Sequence, residues 1–417
     1  MQAPRRPARP TRHAPEAERP KRGLTLWWGS PLPPTRSGVA DYAAELLPHL
    51  ARAADVTLLE PPDWQPPEQA VWLDGLRRLP WDAGARAGAI PLLHLGNNPY
   101  HLWVARRLRW HGGIVVLHDS VLHHLLVEEA ADDGEWERFA VEMAAAHGVA
   151  GAAIAAARAW GYTARLDPFL LPARRVYLQR ASAVIVHNRK AAEDVAEACP
   201  DTPVRQVPLA VAALPPGDRR AWRRRLGAGD EDLVVAHLGF LTPAKGLDTV
   251  LHALVALVEL DVPVRLVVVG EGEEGASFAR TLQAVGLQER VTVWGWASSD
   301  DLGGILHAAD LGLVPRYPTA GETSAAALRF LASGTPVAVA GYGQFLELPP
   351  DAAPRIAPGR AGVAELVRLI ALLSRDRDAR RQGRAAARRA WELGEHAPER
   401  AASRLLEAVG ELAYHVA

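Results

Sequence analysis

The stretch that decides the fold is AIPLLHLGNNPYHLWVARRLRWHGGIVVLHD, residues 89–119. Two apolar runs, 89–96 and 113–119, enclose a segment with helical periodicity at 101–110. The runs are almost continuous in Leu, Ile and Val, which is typical of strands buried on both faces of a parallel sheet. Further runs of this kind alternate with helical segments, at 24–28, 55–60 and 182–188. The first half of the chain is therefore predicted to form a doubly wound parallel α/β sheet.

The same pattern starts again after a proline-containing segment at 204–218. Apolar runs, each followed by a helical or loop stretch, recur at 233–239, 264–270, 290–296, 311–316 and 335–341. We expect two Rossmann-like domains facing a central cleft. Their predicted bounds are 23–205 for the first domain, 206–218 for a linker, 219–375 for the second domain, and 376–417 for C-terminal helices that pack back across the first domain.

Composition excludes several classes of protein. The 417 residues carry 47 Lys and Arg against 48 Asp and Glu, so the charge gives no reason to expect binding to nucleic acid. Cys199 is the only cysteine, which rules out an intrachain disulfide and suits a cytoplasmic location. No run of 18 apolar residues occurs, so we expect neither a membrane span nor a signal peptide. Residues 1–22 are rich in Pro and Arg and are predicted to form a disordered basic arm.

Candidate site residues follow the strands, because ligands of doubly wound sheets bind at the carboxyl ends of the strands. His118 and Asp119 end one predicted strand, and His118 is interpreted as a cleft histidine or, equally well, a structural one. After the preceding strand, Asn97, Asn98 and His101 offer neutral groups that recognise hydroxyls, although a turn before a helix explains the asparagines as well.

Three further motifs predict an anion site. Gly38 in SGVADY opens a helix after a proline-rich loop, and Lys245 lies in the loop HLGFLTPAKG after the first strand of the second domain. The third motif, VPRYPTAGETSAAALRF, begins at 314 and contains Arg316. This motif contains the predicted start of a helix at Gly321, Glu322, Thr323 and Ser324. The free N–H groups of such a helix start attract phosphate, and its polar side chains can accept hydrogen bonds from a sugar.

Two other readings of the sequence are disfavoured. The string VVVGEGEEG at 267–275 has dinucleotide-motif spacing, but its glutamates would lie where a pyrophosphate must bind. A metal site is not expected at His123 and His124, which point about 100° apart on a helix. The acidic strings Asp230–Asp232 and Asp376–Asp378 lie away from strand ends, so we expect no metal and no cofactor.

Taken in order along the chain, these motifs resemble the retaining glycosyltransferases of family 4, which have the GT-B fold. The order is SGVADY, HD, G-x-L-x-x-x-KG, VVVGEG, VxVxGW and GETS followed by SGTPV, between residue 24 and about 410. The resemblance implies a nucleotide-diphosphate sugar held by the second domain and an acceptor held by the first. Two positions depart from the family pattern: Phe240 and Arg329 stand where relatives commonly have Arg and Glu.

The resemblance assigns roles residue by residue. His118, Glu322 and Lys245 are the expected catalytic residues, and Asn97, Asn98, His101 and Asp119 are acceptor-side candidates. Arg316 is expected to replace the missing arginine, and Glu322 to bind sugar hydroxyls. The full expected donor site comprises Gly38, Gly239, Lys245, Gly295, Arg316, Gly321, Glu322, Thr323 and Ser324.

The expected function is transfer of a hexose from a GDP-mannose or UDP-glucose type of donor to a glycan, lipid-linked or small-molecule acceptor, as in polysaccharide biosynthesis. Configuration would be retained and no metal used. Two alternatives stay open, a catalytically weak nucleotide-sugar-binding protein and an NDP-sugar epimerase. The segment RRLRW (106–110) with Trp103 is interpreted as a solvated helix face, with contact to the inner face of a membrane as the alternative.

Overall fold

The computed structural model describes residues 23–229, 231–272 and 275–413, so the predicted arm at 1–22 lies outside the described residues. Within that part of the chain, the first sheet has seven parallel strands in the order β3, β2, β1, β4, β5, β6, β7. The strands are β1 (Thr25–Gly29), β2 (Asp55–Glu60), β3 (Arg77–Pro80), β4 (Ala89–Leu95), β5 (Ile114–Leu117), β6 (Ala183–Val186) and β7 (Val204–Gln206).

The second sheet has six parallel strands in the order β10, β9, β8, β11, β12, β13. They are β8 (Leu233–Leu238), β9 (Val264–Val269), β10 (Val291–Gly295), β11 (Leu311–Val314), β12 (Val337–Ala340) and β13 (Arg355–Ile356). The strand order reverses between β1 and β4 in the first sheet and between β8 and β11 in the second. Loops that leave a sheet at such a switch point diverge and open a crevice at its carboxyl edge.

Helices cover both faces of the two sheets. In the first half they are α1 (Gly38–Ala53), α2 (Leu102–His111), α3 (His123–Asp133), α4 (Trp136–Ala159), α5 (Asp167–Leu170), α6 (Arg174–Leu178) and α7 (Arg189–Ala198). In the second half they are α8 (Arg219–Arg225), α9 (Leu247–Glu259), α10 (Gly275–Ala284), α11 (Ser299–Ala308), α12 (Ala325–Ala332), α13 (Val363–Arg375), α14 (Arg377–Leu393) and α15 (Pro398–Leu412).

The architecture confirms the predicted fold class, two doubly wound parallel sheets of the GT-B type. The central strands are buried over most of their length, as their apolar sequences require. Three strands were not predicted from the sequence: β3, β7 and β13. All three are edge strands of two to four residues with few or no buried side chains, so no apolar run announces them.

The C-terminal helices divide between the two domains. Helix α15 packs against α1 of the first domain, burying residues such as Leu405, Val409 and Leu412. Helix α14 instead packs against α12 of the second domain, where Arg388 covers Gly334. The expectation that the whole segment 376–417 packs back across the first domain is therefore wrong for α14.

The segment RRLRW lies on α2, and its side chains are already engaged. Trp103 is buried in the core, and Arg107 donates a hydrogen bond of 2.9 Å to the carbonyl of Ala83. Arg109 forms paired hydrogen bonds to Glu129 and Glu142. The arginines that a membrane contact through α2 would need are thus already engaged, in ion pairs or in the core.

Glycines allow the loops after β8 and β9 to touch. A Cβ on Gly270 would lie 2.0 Å from the carbonyl oxygen of Gly239, and Gly270 has a φ of 138°. A Cβ on Gly272 would lie 2.6 Å from the carbonyl oxygen of Leu241. These two glycines of the dinucleotide-like string therefore serve backbone packing beside β8.

We expect Gly270→Ala to lower the free energy of unfolding by about 2–4 kcal/mol, because the side chain adds backbone strain and a clash with a rigid carbonyl. Gly84→Ala is the matched control, since a Cβ there meets nothing within 4 Å. Urea unfolding of both variants measures the difference. Equal stability of the two variants would contradict this account of the β8 and β9 loops.

Candidate active site

The carboxyl edge of the first sheet carries a buried cluster of aromatic and imidazole rings. Nδ1 of His94 lies 3.0 Å from Nε2 of His118, so one ring donates to the other. The ring of Tyr42 packs 5.2 Å from His118, and the ring of His187 also lies 5.2 Å from it. His118 is therefore held in one orientation by three neighbouring rings and keeps part of its surface exposed.

Burial keeps this cluster uncharged. Desolvation, reinforced by the neighbouring imidazoles, holds the pKa of His94 and of His118 well below the usual value. Desolvation also lowers the pKa of His187 to about 4. At neutral pH the first domain thus presents a neutral imidazole to the cleft, one that donates or accepts a hydrogen bond.

Asp119 lies next to His118 and is fixed by the β4 loop. Its Oδ2 accepts a hydrogen bond of 2.8 Å from the backbone N–H of Asn97. The Asn97 side chain is itself engaged, since Oδ1 accepts from the N–H of Leu125 and Nδ2 lies 2.8 Å from Nδ1 of His124. Asn97 therefore holds Asp119 and α3 in place.

Asn98 and His101, predicted on the acceptor side, also have structural contacts, and their role toward an acceptor stays a prediction. Asn98 caps a short turn by accepting from the N–H of Tyr100. His101 is completely buried, and its Nδ1 donates to the carbonyl of His94. The alternative explanation of the asparagines as a turn before a helix holds for Asn98.

In the second domain, Lys245 reaches back over the end of β8. A Cβ on Gly239 would lie only 3.1 Å from Nζ of Lys245, so the bare glycine leaves room for the ammonium group. Gly246 follows with a φ of 75°, and a Cβ there would lie 2.4 Å from the carbonyl oxygen of Pro315. The turn thus presses the loop of Lys245 against the end of β11, from which Arg316 emerges.

Arg316 and Glu322 form an ion pair at the end of β11. Oε2 of Glu322 also accepts hydrogen bonds of 2.9 Å from the hydroxyl of Thr319 and the N–H of Ala320. Both carboxylate oxygens are therefore engaged within the second domain. In this arrangement Glu322 aims the Arg316 guanidinium, while its binding to sugar hydroxyls stays a prediction.

The start of α12 faces the first domain. Ser324 caps the helix by accepting from the N–H of Ala327, and the first N–H groups of a helix have no partner inside it. Nδ2 of Asn188 donates to Oγ1 of Thr323 at 2.9 Å and to the carbonyl of Gly321 at 3.0 Å. Gly321 has a φ of 79°, and a Cβ there would lie 2.8 Å from Ser120 of the first domain.

A cavity of about 390 Å³ adjoins this helix start. It lies between the two domains, with His187 and Asn188 on one wall and Thr323 and Ser324 on another. The predicted residues Gly321 to Ser324 therefore lie where the two domains meet, beside open space.

Charges from the two domains act on each other across the cleft. Desolvation lowers the pKa of Lys245 well below its usual value, and the positive charge of Arg316 lowers it further, while Asp119 opposes the shift. Desolvation also raises the pKa of Asp119 and lowers that of Arg316. Lys245 and Arg316 are thus held poorly solvated beside Asp119 and Glu322, and a phosphate entering the cleft would favour the charged forms of both cations.

The loop that contains Gly38 bridges to the second domain through Arg36. Its guanidinium donates a hydrogen bond of 2.8 Å to Glu271 and lies 4.9 Å from the ring centroid of Trp296. Gly295, just before Trp296, has a φ of 77°, and its carbonyl accepts from the N–H of Gly270. Gly38 itself begins α1 behind the cap residue Ser37.

The position of Arg329, where a glutamate was expected from the family pattern, carries an ion pair between the domains. Arg329 pairs with Glu45 of α1, and its other terminal nitrogen donates 3.0 Å to the carbonyl of Ala212. Glu45 also accepts from the N–H of Ala212 at 2.7 Å. Arg329 thus connects α12 of the second domain to the first domain and to the linker.

The acidic strings take part in local structure. Asp232 accepts from the N–H of Gly229, and Asp376 caps α14, while Asp230 lies outside the described residues. Within residues 23–229, 231–272 and 275–413, no group of three His, Cys, Asp or Glu side chains could hold a metal ion. Metal independence stays a prediction.

Sequence reasoning missed four residues that build the site. His94 and His187 hold His118, Asn188 holds the start of α12, and Arg36 spans the cleft. His94 was visible as a histidine inside an apolar strand, and His187 and Asn188 as the polar end of another. Nothing in the sequence showed that three separate strand ends place their rings together.

The fold and this site define a two-domain protein of the GT-B type with a polar cleft between its sheets. Residues 218–390 match the family model of glycosyl transferases group 1. A D-inositol 3-phosphate glycosyltransferase of Segniliparus rotundus is 34% identical over 132 residues, which are 31% of this chain and 29% of that protein. The alignment to this curated relative thus spans less than a third of its length.

Two solved structures resemble almost the whole chain. Sucrose-phosphate synthase from Thermosynechococcus elongatus has a TM-score of 0.62 at 17% identity and covers 94% of this chain and 99% of its own. The HepE protein of Anabaena, solved in complex with UDP-glucose, has a TM-score of 0.59 at 15% identity, with 93% and 99% covered. At these identities the likeness establishes the fold.

We expect the buried histidines to make the first domain less stable in acid. Desolvation lowers the pKa of His101 to about 4 in the folded protein, whereas the unfolded chain takes up a proton near pH 6.5. Stability therefore falls as the pH drops below about 6.5, and His101 alone contributes a loss of about 2 kcal/mol by pH 5.

Urea unfolding at pH 7.5 and pH 5.0 measures this effect. His101→Gln should reduce the difference between the two pH values by about 2 kcal/mol. His252→Gln, which changes an exposed histidine on α9, should leave it unchanged. An unaltered pH dependence in His101→Gln would show that this ring titrates normally.

Proposed function

We propose that this protein is a glycosyltransferase that moves a hexose from a nucleotide-diphosphate sugar to a hydroxyl of an acceptor. One observation carries the proposal: Lys245, Arg316 and the start of α12 converge opposite His118 and Asp119. The match of residues 218–390 to glycosyl transferases group 1 supports it. We propose that the donor binds to the second domain and the acceptor to the first.

In the reaction, the bond between the anomeric carbon and the diphosphate breaks, and the acceptor oxygen forms a new bond to that carbon. The acceptor proton leaves to the departing diphosphate or to solvent. Negative charge develops on the diphosphate, so fixed cations and N–H groups aimed at it lower the barrier most. We propose this task for Lys245, Arg316 and the N-terminus of α12.

His118 and Glu322 have supporting roles in this proposal. The neutral imidazole of His118 hydrogen-bonds the transferred sugar or the attacking hydroxyl, and its ring is oriented by His94. Glu322 orients Arg316 and, when the donor displaces part of that ion pair, accepts hydrogen bonds from sugar hydroxyls. We further propose retention of configuration and no metal, on the strength of the resemblance to family 4.

We propose the nucleotide base of the donor from the ligands of the structurally similar proteins. HepE was solved with UDP-glucose, which makes a uridine nucleotide the first candidate, with GDP and ADP sugars next. Because Arg329 is engaged with Glu45, ribose must be recognised by other groups than an acid at this position. This departure is the one observation that favours the alternative of a nucleotide-sugar-binding protein without strong activity.

We expect one nucleoside diphosphate to raise the melting temperature, and NAD to have no effect. At 100 times its dissociation constant the ligand adds about 2.7 kcal/mol to the free energy of unfolding. Lys245→Met should weaken its binding about 10- to 100-fold, because a charge-assisted contact to phosphate is lost. The control Arg220→Met removes an exposed cation from α8 and should leave binding within about twofold.

Product analysis tests the reaction class. A transferase releases the nucleoside diphosphate in step with a glycosylated acceptor, whereas an epimerase converts the donor with no acceptor present. Binding of a diphosphate without turnover over a broad acceptor panel would favour the non-catalytic alternative. Failure of every nucleoside diphosphate to bind would overturn the donor site itself.

A further inference from the structure

An exposed apolar surface on the first domain has no role in the proposed reaction. It comprises the second half of α4 and the segment that follows, with Val149 88%, Trp160 83%, Tyr162 70% and Leu170 71% exposed. Leu166, between them, is also exposed. We call these five residues the α4 patch. Several large, exposed apolar side chains within one segment of a chain are a mark of an interaction site.

The geometry of α4 shows whether this helix could cross a membrane or could only lie on its surface. Among the described residues, α4 is the one helix with the length and composition of a membrane span, and only a small part of its apolar window is buried. Gly148, however, has a φ of 58° and breaks the helix into 136–147 and 149–159. Each half is roughly 16–18 Å long, whereas the hydrocarbon core of a bilayer is about 30 Å thick.

The two halves of α4 are also folded together. A Cβ on Gly151 would lie 2.0 Å from the carbonyl oxygen of Met143, so the chain turns sharply at Gly148 and its halves touch. Met143 and Phe139 of the first half are buried in the core of the domain. The first half thus anchors α4 to the domain, and the second half presents its outer side to solvent.

Charge and residue type at the α4 patch fit a lipid surface. Between Val149 and Leu170, the span of the patch, the charged residues are Arg158, Arg165 and Asp167. Trp160 and Tyr162 end the helix, and such aromatic rings are enriched where hydrocarbon meets headgroups. The two arginines outnumber the single carboxylate, so this apolar face complements an anionic bilayer through both burial and charge.

The α4 patch is joined to the cleft by a short series of contacts. Next to Leu170, the ring of Phe169 lies 6.3 Å from that of His124 on α3. Nδ1 of His124 lies 2.8 Å from Nδ2 of Asn97, whose N–H donates to Asp119. The patch is therefore connected to Asp119 through Phe169, His124 and Asn97.

We propose that the α4 patch docks the protein on the surface of an anionic bilayer, with the second half of α4 lying in the plane of the interface. Val149, Trp160, Tyr162 and Leu170 enter the headgroup region, and Arg158 and Arg165 contact anionic headgroups. This docking needs no donor and is independent of the proposed transfer reaction.

Flotation of the full chain with vesicles tests the proposal. Vesicles of phosphatidylcholine with 30% phosphatidylglycerol should bind the protein at least tenfold more tightly than vesicles of phosphatidylcholine alone. The double variant Trp160→Ser with Leu170→Ser should reduce binding to the anionic vesicles about tenfold or more. Arg165→Gln should reduce the preference for anionic lipid and leave the weak binding to neutral vesicles unchanged.

The control is the double variant Val71→Ser with Leu393→Ser, which removes two equally exposed apolar side chains outside the patch. It should float like the wild type, and circular dichroism and the melting temperature verify that both double variants fold. Wild-type protein that stays unbound, or equal flotation of the two double variants, would overturn the proposal.

Light scattering tests the competing possibility that a second copy of the chain covers the α4 patch. A dimer that the Trp160→Ser, Leu170→Ser variant abolishes would show that a second copy, and no bilayer, covers the patch. Nucleotide binding measured by melting temperature should be the same in all these variants. A loss of nucleotide binding therefore reports on the donor site, and a loss of flotation reports on docking.

Discussion

The site depends on the burial of two cations, Lys245 and Arg316, at the junction of the two domains. A lysine and an arginine that lose solvent repel each other and lose hydration, and one carboxylate, Asp119, faces them from the other domain. Such an arrangement is costly unless the geometry is rigid or an anion completes it. The local structure supplies the first condition, since bare glycines fix the loops that carry these side chains, and the proposed diphosphate donor would supply the second.

The two domains bring different electrostatic properties to this junction. The first contributes rings that burial keeps neutral, with His118 held by His94, Tyr42 and His187. The second contributes fixed positive charge and the start of α12. A sugar needs hydrogen bonds without strong charge, whereas a diphosphate needs cations and N–H groups. The division matches a substrate with an anionic leaving group on one side and a neutral sugar on the other.

Contacts between the domains determine how these halves meet. The carbonyl of Ala320 accepts from the N–H groups of Ser120 and Val121, and Glu347 accepts from those of Arg189 and Lys190. Arg329 and Glu45 add an ion pair near the linker. Most of these contacts involve backbone groups. They therefore fix how the two domains are oriented but do not require a particular residue at each position. The departure at position 329 from the family pattern therefore has a structural use here, which the residue alone could not reveal.

Much of the fold was readable from the sequence, because parallel strands buried on both faces are long apolar runs with a regular helical spacing. The sequence by itself determined the two doubly wound sheets, the central strands and the helix start at Ser324. It also identified His118, Lys245 and Arg316, since polar residues at the ends of apolar runs stand out. The short edge strands β3, β7 and β13 could not be predicted, because they bury too little to leave a pattern.

Only the tertiary structure decided which candidates act together. Asn98 and His101 lie in the same motif as Asn97, yet Asn98 caps a turn and His101 is buried beside Gly96 and Asp119. Asp119, expected beside an acceptor, proved to face Lys245 and Arg316. His94 and His187 became site residues through strands that neighbour β5 in the sheet. The physical reason is that apolar periodicity is a local property of the chain. Desolvation and charge coupling arise instead between strand ends that lie far apart in the sequence, as Asp119 and Arg316 do.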